Sequence, residues 1–162
     1  MGTFNGLPLH PLVVHAVVVL VPLTVLAAIL FAVRPKQRWL LRWPLAAGTI
    51  VSLVVTFVAK QSGLKLQVAF ANLPLVKIHQ ARANVFVLLV YAFAIIALIA
   101  VFTLGGTSQL ASGALARAAV GGRAVQIAIA AVLVVIAVVV AIQVVRVGDA
   151  GARAAWSGVK LS

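Results

Sequence analysis

Four long stretches of apolar residues dominate the pattern of hydrophobic and polar positions along this chain. They cover about residues 12–33, 43–59, 83–104 and 124–147. A helix that crosses a bilayer core needs roughly 20 apolar residues, and each stretch is close to that length. The fourth is rich in valine, which favours strands in water, but a chain inside lipid must satisfy its own backbone hydrogen bonds. The pattern therefore predicts four transmembrane helices.

The segments between these stretches differ in character. The first, residues 34–42, is short and basic, whereas the second, residues 60–82, is longer and half apolar and is expected along the membrane interface or against the helix ends. The third, residues 105–123, is rich in Gly, Ala and Ser, which is typical of a flexible surface loop. A short tail, 148–162, follows the last stretch. We predict a single domain over residues 1–162. Its fold is an all-α integral membrane protein, a bundle of four transmembrane helices, with the second connection lying partly in the membrane interface.

Two features of the predicted helices concern their packing. In the second helix, Gly48, Ser52 and Thr56 place one small residue at every fourth position. This spacing lines them along one side of the helix and lets a neighbouring helix approach closely. In the first helix, Pro22 removes one backbone donor and predicts a bend.

The composition indicates lipid as the main solvent of the chain. Hydrophobic residues make up 65% of the 162 residues and charged residues only 9%, against about a quarter in soluble domains. The net charge of +12 comes from 13 Lys and Arg, which lie in the connections without interleaved aromatic residues. Lipid phosphates and the positive-inside bias account for them better than nucleic acid does. The expected partner is therefore the lipid bilayer, with no nucleic acid.

The scarcity of two residue classes narrows the chemistry. The chain has no cysteine, which excludes disulfides, thiolate zinc sites, iron–sulfur clusters and covalently attached haem. Its single carboxylate, Asp149, excludes catalysis by paired carboxylates. No nucleophile, base and orienting group can be named together, so an enzyme acting alone is not favoured. A transporter is disfavoured because the spans contain no carboxylate.

The distribution of basic residues predicts the orientation. Arg34, Lys36, Arg38 and Arg42 crowd the first connection, while the N-terminal tail has no basic side chain. Short loops rich in Lys and Arg face the cytoplasm. We therefore expect this connection in the cytoplasm and both termini outside it. The first apolar stretch is longer than the core of a signal peptide and is expected to be retained as a helix.

Four spans bring the polar residues at alternate helix ends to one face of the membrane. Every histidine and the only carboxylate lie at that face with basic and amide side chains, in a cluster of His10, His15, Lys60, Gln61, His79, Arg82, Asn84, Gln143, Arg146 and Asp149. Imidazoles are costly in hydrocarbon, so each needs a backbone carbonyl, a charged group, a metal or a haem as its partner. We expect this polar cluster on the extracytoplasmic face.

Three interpretations of the cluster are open. In the first, His10 and His15 bond to backbone carbonyls or lipid headgroups, and Pro11 begins the helix at its favoured first position. Asp149 caps a short terminal helix or pairs with one of three arginines: Arg82, Arg146 or Arg153. The cluster is then structural, as in an accessory subunit.

The other two interpretations involve a cofactor. His15 and His79 could ligate one b-type haem across the bundle, with Arg82 near its propionates. His10 and His15 lie about 140° apart around a helix, so they cannot both ligate from one regular face. In the third interpretation, His10, His15 and His79 bind copper or zinc, which imidazoles suit. In the haem interpretation, the bundle could hold at most one haem, because histidines occur at one face only.

Four segments carry a family resemblance: Leu9-His10-Pro11-Leu12-Val13-Val14-His15, Ser62-Gly63, His79-Gln80-Ala81-Arg82-Ala83-Asn84, and Gly148-Asp149-Ala150-Gly151-Ala152 followed by Trp156. The first resembles the Leu-His-Pro-x-x-Val-His opening of the bacterial four-span membrane family called domain of unknown function 2231. The others are similar to later motifs of that family. The resemblance covers nearly the whole chain and implies a four-helix domain of the bacterial cytoplasmic membrane. It also implies redox work near the outer face, since related domains occur beside cytochrome c modules.

The chain departs from the family pattern in its closing motif. Asp149 stands where many members have histidine, and no histidine follows Trp156. Any ligand set that uses the closing histidines is missing, which favours a structural or accessory role over the haem and metal alternatives. We expect a non-catalytic accessory or structural subunit, linked to respiratory or redox complexes, with its polar cluster on the extracytoplasmic face.

Overall fold

The computed structural model describes the backbone of residues 3–4, 7–70, 73–108, 110, 112–113 and 115–156, and their side chains except those of 3–4, 7–9 and 66–70. This part of the chain contains four α-helices: α1 (Leu9–Val33), α2 (Arg38–Phe70), α3 (Pro74–Thr103) and α4 (Arg123–Trp156). A 3₁₀ turn at Pro35–Gln37 joins α1 to α2. Two-residue strands, β1 (Thr3–Phe4) and β2 (Leu7–Pro8), pair antiparallel ahead of α1.

Each of these helices is long and apolar enough to cross a membrane. The least apolar candidate span, Pro35–Lys65, has a mean hydropathy of 1.6, while the others have values of 2.9, 3.1 and 3.2. The predicted all-α integral membrane bundle is therefore confirmed, and the chain is a multi-pass membrane protein.

The helices extend beyond the apolar stretches that predict them. Few residues separate α2 from α3, so most of the expected connection 60–82 is helical. Pro74 begins α3 at a position where its missing N–H needs no partner. The expected tail also starts inside α4, and its last part, 157–162, lies outside the described residues. Hydropathy marks only the lipid-embedded part of a helix, whereas the helix itself continues into the polar interface.

The four helices pack in a ring in which each helix contacts two neighbours. Both α1 and α3 contact α2 and α4. Helices α1 and α3 therefore lie on a diagonal. One end of the bundle, which we call the histidine end, carries His10 and His79; the opposite end, the arginine end, carries Arg38 and Arg42. The core between the ends includes large, fully buried side chains, among them Phe31, Leu45, Phe93, Leu104 and Leu133.

The contact between α1 and α2 uses the predicted stripe of small residues. Ser52 and Thr56 are buried, and Gly48 faces Thr24 of α1. The hydroxyls of Thr24 and Ser52 lie 3.0 Å apart, and Thr24 also donates to the Leu20 carbonyl of its own helix at 2.8 Å. Because these side chains are short, the two helices approach closely along this face.

The third connection, expected to be a flexible loop, is held at its base. Gly106 and Arg117 exchange two backbone hydrogen bonds of 2.9 Å. The Gln126 side chain donates to the carbonyls of Thr103 at 3.2 Å and Val120 at 2.6 Å. These bonds tie the loop to the adjoining ends of α3 and α4. Three residues of the connection lie outside the described part of the chain: 109, 111 and 114.

Candidate functional site

His10 lies in the first turn of α1 and is fastened to α2 through its Nδ1 atom. This nitrogen lies 3.0 Å from the Ala59 carbonyl oxygen and 3.1 Å from the Ser62 hydroxyl oxygen. The Ser62 hydroxyl donates to the same carbonyl at 3.0 Å. A carbonyl oxygen only accepts, and the hydroxyl proton is already used, so Nδ1 carries the ring proton and donates it. In the neutral ring, Nε2 then keeps a free electron pair.

His79 repeats this arrangement on the diagonally opposite helix. It lies near the start of α3, and its Nδ1 atom donates to the Val147 carbonyl oxygen of α4 at 3.2 Å. Among the described residues, neither His79 nor His10 has a hydrogen-bond partner at Nε2. Each histidine thus joins its own helix to a neighbouring helix through one ring nitrogen and leaves the other nitrogen available.

The His10 and His79 rings face one another across the bundle. Their centres are 6.4 Å apart, and their planes make an angle of 73°. Both side chains are half-buried. Facing side chains on diagonal helices are the positions from which helical bundles hold cofactors in their interior.

A glycine lies against each imidazole. A Cβ atom added to Gly63 of α2 would lie 3.0 Å from Cε1 of His10, and one added to Gly151 of α4 would lie 3.1 Å from Cε1 of His79. Both distances are shorter than ordinary van der Waals contact, so a larger side chain would displace the ring. The four helices thus contribute a layer of alternating histidine and glycine, which we call the histidine–glycine layer: His10, Gly63, His79 and Gly151.

Arg82 organises a second polar group beside this layer. Its Nη1 atom donates to the Arg146 carbonyl oxygen at 3.1 Å and lies 3.8 Å from Oδ2 of Asp149. Arg153 pairs more closely with Asp149, with Nε 3.0 Å from Oδ1 and 3.1 Å from Oδ2. The buried Gln143 side chain donates to the Arg82 carbonyl oxygen at 3.2 Å. These groups satisfy one another and link α3 to α4.

The position of Asp149 corrects one expectation from the sequence. Asp149 lies inside α4, four residues before Arg153, so the idea that it caps a short terminal helix is wrong. Helix α4 simply continues through this segment. Of the three arginines considered as its partners, Arg82 and Arg153 form ion pairs with it, whereas Arg146 contributes its main-chain carbonyl to Arg82.

His15 and Asn84 stand apart from the histidine–glycine layer. His15 is exposed, and its Nδ1 atom bonds to the Pro11 carbonyl oxygen of its own helix at 2.7 Å. The structure therefore brings His10, rather than His15, next to His79. Asn84 is exposed on α3. Within the described part of the chain, no three His, Asp or Glu side chains form a group that could hold a metal ion.

Two members of the layer, Gly63 and Gly151, are not among the site residues predicted from the sequence. Both occur in the segments that carry the family resemblance, but glycine has no side-chain chemistry to suggest a role. Its steric role becomes visible only when the neighbouring helix is in place. The one sequence feature that could have pointed to such a glycine is a small residue beside polar residues at the end of a helix, as in Ser62-Gly63.

Among known proteins, a match to a family model extends over almost the whole chain. The family model described as "Predicted membrane protein (DUF2231)" matches residues 6–160. No curated protein and no solved structure matches the chain. The matched range includes the histidine–glycine layer and the four described helices.

Proposed function

The chain belongs to the DUF2231 family of predicted membrane proteins, and we propose that it is a non-catalytic accessory subunit of a bacterial redox complex in which His10 and His79 hold one b-type haem. The imidazole pair supports this proposal. Its rings lie 6.4 Å apart on diagonal helices, and a carbonyl accepts from Nδ1 of each. Metal-ligating histidines are usually oriented by such a bond from the second ring nitrogen.

The two rings would hold a single haem b between them. Their centres lie 6.4 Å apart on diagonal helices, and each ring uses only Nδ1 for a hydrogen bond within the described residues. When bound, haem b would supply a one-electron redox couple.

The geometry supports haem better than a copper or zinc ion. These ions are usually held by three or four protein donors. His15, the third imidazole of the expected set, bonds to Pro11 of its own helix instead. The pair that we propose is therefore His10 with His79, in place of His15 with His79. Arg82 directs one nitrogen, Nη1, to the Arg146 carbonyl and towards Asp149, so the other N–H groups of its guanidinium would be available to a haem propionate.

The position of the pair supports an accessory role. All three histidines of the sequence belong to the N-terminal parts of α1 and α3, so the bundle offers one haem site at one end. A single haem there cannot pass an electron across the membrane. A second redox protein would have to exchange electrons with it at the histidine end, which we place on the extracytoplasmic side of the cytoplasmic membrane.

An optical spectrum tests the haem. Protein expressed with ample haem and purified in detergent is expected to show a Soret band and a sharp α band after reduction with dithionite. His10→Ala and His79→Ala should each abolish this six-coordinate spectrum, while His15→Ala, a control in the same helix as His10, should retain it. Added imidazole should restore it in His79→Gly, which separates ligand loss from misfolding. Absence of a Soret band in the unaltered protein would overturn the haem proposal.

A separate experiment tests the accessory role. Deleting the protein is expected to reduce the amount or the activity of a respiratory complex on native gels, and crosslinking in intact membranes should capture a subunit of that complex. Re-expression of the His15→Ala variant should restore the complex. Normal complexes in the deletion strain would contradict the accessory role, whatever the spectrum shows.

A further inference from the structure

Two buried arginines hold helix ends together at the arginine end. Arg38 and Arg42 lie one turn apart in α2 and are 7% and 5% exposed. Their guanidinium groups donate to carbonyls in the last turns of α1 and α3 and just beyond them, those of Phe31, Ala32, Val101, Leu104 and Gly105. Cations are favourable there because the C-terminal end of a helix carries partial negative charge.

These positive charges have no carboxylate to neutralise them. The only acidic residue of the sequence, Asp149, belongs to the histidine end. The Nε atom of Arg42 is buried and has no hydrogen-bond partner among the described residues, which is unfavourable for a charged donor. The sequence therefore offers no acidic side chain to neutralise the positive charges at this end.

A cavity of about 640 Å³ opens beside Arg38, at the same end of the bundle. Basic, polar and small apolar side chains line it, including Lys36, Arg38, Thr107, Ala116, Arg117 and Ala119. Arg38 uses each of its three nitrogens once on a carbonyl, which leaves two of its five N–H donors unused. Lys36 and Arg117 are exposed. The cavity therefore offers several donors and no acidic side chain.

The same helix ends carry features of a lipid-facing surface. Their exposed large apolar side chains include Val33, Leu40, Trp43 and Phe102. Tryptophan is enriched where a helix meets the headgroup region. The guanidinium carbon of Arg117 lies 5.6 Å from the centre of the exposed Phe102 ring. Positive charge and lipid-exposed apolar surface thus adjoin each other at this end.

We propose that this cavity binds the phosphate group of an anionic phospholipid, with Lys36, Arg38 and Arg117 as donors. Arginine presents paired N–H groups that match phosphate oxygens, and basic pockets between transmembrane helices bind anionic headgroups. The lipid supplies the negative charge that the chain lacks at this end, and its acyl chains lie along the apolar surface around Phe102. A free phosphate ion would engage the same donors but would leave that apolar surface unused, so the phospholipid is the source that fits.

Native mass spectrometry of the detergent-purified protein tests this site, with dioleoylphosphatidylglycerol, dioleoylphosphatidylcholine and inorganic phosphate as probes. The double variant Lys36→Gln/Arg117→Gln removes two cavity charges and leaves Arg38 to hold the helix ends. The control, Arg34→Gln/Arg123→Gln, removes two exposed charges near the same end that do not line the cavity. Phosphatidylglycerol is expected to bind the unaltered protein and the control alike, and to bind the cavity variant about fivefold more weakly for each charge removed.

Three outcomes would overturn the proposal. An equal loss of phosphatidylglycerol in the control would indicate a diffuse surface charge instead of a site. Equal retention of phosphatidylcholine would contradict recognition of an anionic lipid. Binding of inorganic phosphate that the cavity variant loses, without cavity-dependent binding of phosphatidylglycerol, would assign the site to free phosphate.

Discussion

Gly151 of α4 lies so close to the His79 ring of α3 that a Cβ atom at this position would be 3.1 Å from Cε1. The corresponding distance between Gly63 and His10 is 3.0 Å. The α1–α2 pair and the α3–α4 pair are therefore each closed by an imidazole on one helix and a glycine on the other. We therefore expect the separation of the two rings to depend on this close approach of the helices.

Replacing Gly151 by alanine is expected to lower the melting temperature in detergent. Overpacking of a close contact costs about 1–3 kcal/mol, because the ring or the helix must move. Gly148→Ala is the matched control in the same helix, since a Cβ atom there meets nothing within 4 Å. It should be neutral or stabilising by up to about 1 kcal/mol, because alanine favours helix over glycine. Equal melting temperatures for the two variants would show that the histidine–glycine layer accommodates a methyl group at Gly151 without strain.

Replacing Arg38 by lysine is expected to destabilise the bundle although the charge is kept. Its guanidinium reaches three carbonyls at once, those of Phe31, Ala32 and Gly105. The compact ammonium of lysine cannot reproduce this fork, and losing these charged hydrogen bonds should cost about 2–4 kcal/mol. Chemical unfolding in detergent measures the loss against Arg34→Lys, an exposed neighbour. If both variants unfold alike, the fork does not hold the helix ends.

Hydropathy predicts the four helices because a lipid-embedded segment must be apolar, but it does not predict where they end. Lys60 and Lys65 are exposed residues within α2, since charged side chains form helix readily once they leave the hydrocarbon. Span counting brings the N-terminal ends of α1 and α3 together. The choice between His10 and His15 depends on the rotation of α1, and a helix that is apolar nearly all round has no polar face to reveal it.

The arginine end shows a second limit of sequence patterns. As residues of a basic connection, Arg38 and Arg42 indicate orientation, but the structure buries both inside α2. Their spacing of four places them on one side of a helix, which is a signal of a shared environment. Their hydrogen-bond acceptors, however, are main-chain carbonyls at the ends of other helices. Every residue has a carbonyl, so the side-chain pattern cannot predict which carbonyls accept these bonds.

Two substitutions at Ser52 separate hydrogen bonding from close packing between α1 and α2. The Ser52 hydroxyl lies 3.0 Å from that of Thr24, and hydrogen bonds between transmembrane helices contribute only about 0.6 kcal/mol on average. Ser52→Ala should therefore have a small effect. Ser52 is 1% exposed, so Ser52→Leu must push the helices apart and should cost about 3 kcal/mol or more. Melting temperatures in detergent compare the two, and a larger loss for alanine would contradict this packing.

Single cysteines test the orientation directly, because the chain has no cysteine of its own. Thr3 precedes α1 at the histidine end, and Ser108 lies in the third connection at the arginine end. The basic first connection predicts that the histidine end lies outside the cytoplasm. A maleimide that cannot cross the cytoplasmic membrane is therefore expected to label Thr3→Cys in cells whose cytoplasmic membrane is intact. It should label Ser108→Cys only after that membrane is permeabilised. The reverse pattern would invert the bundle. The His10–His79 pair would then face cytoplasmic redox partners, and the cavity at Lys36 and Arg117 would take its phospholipid from the outer leaflet.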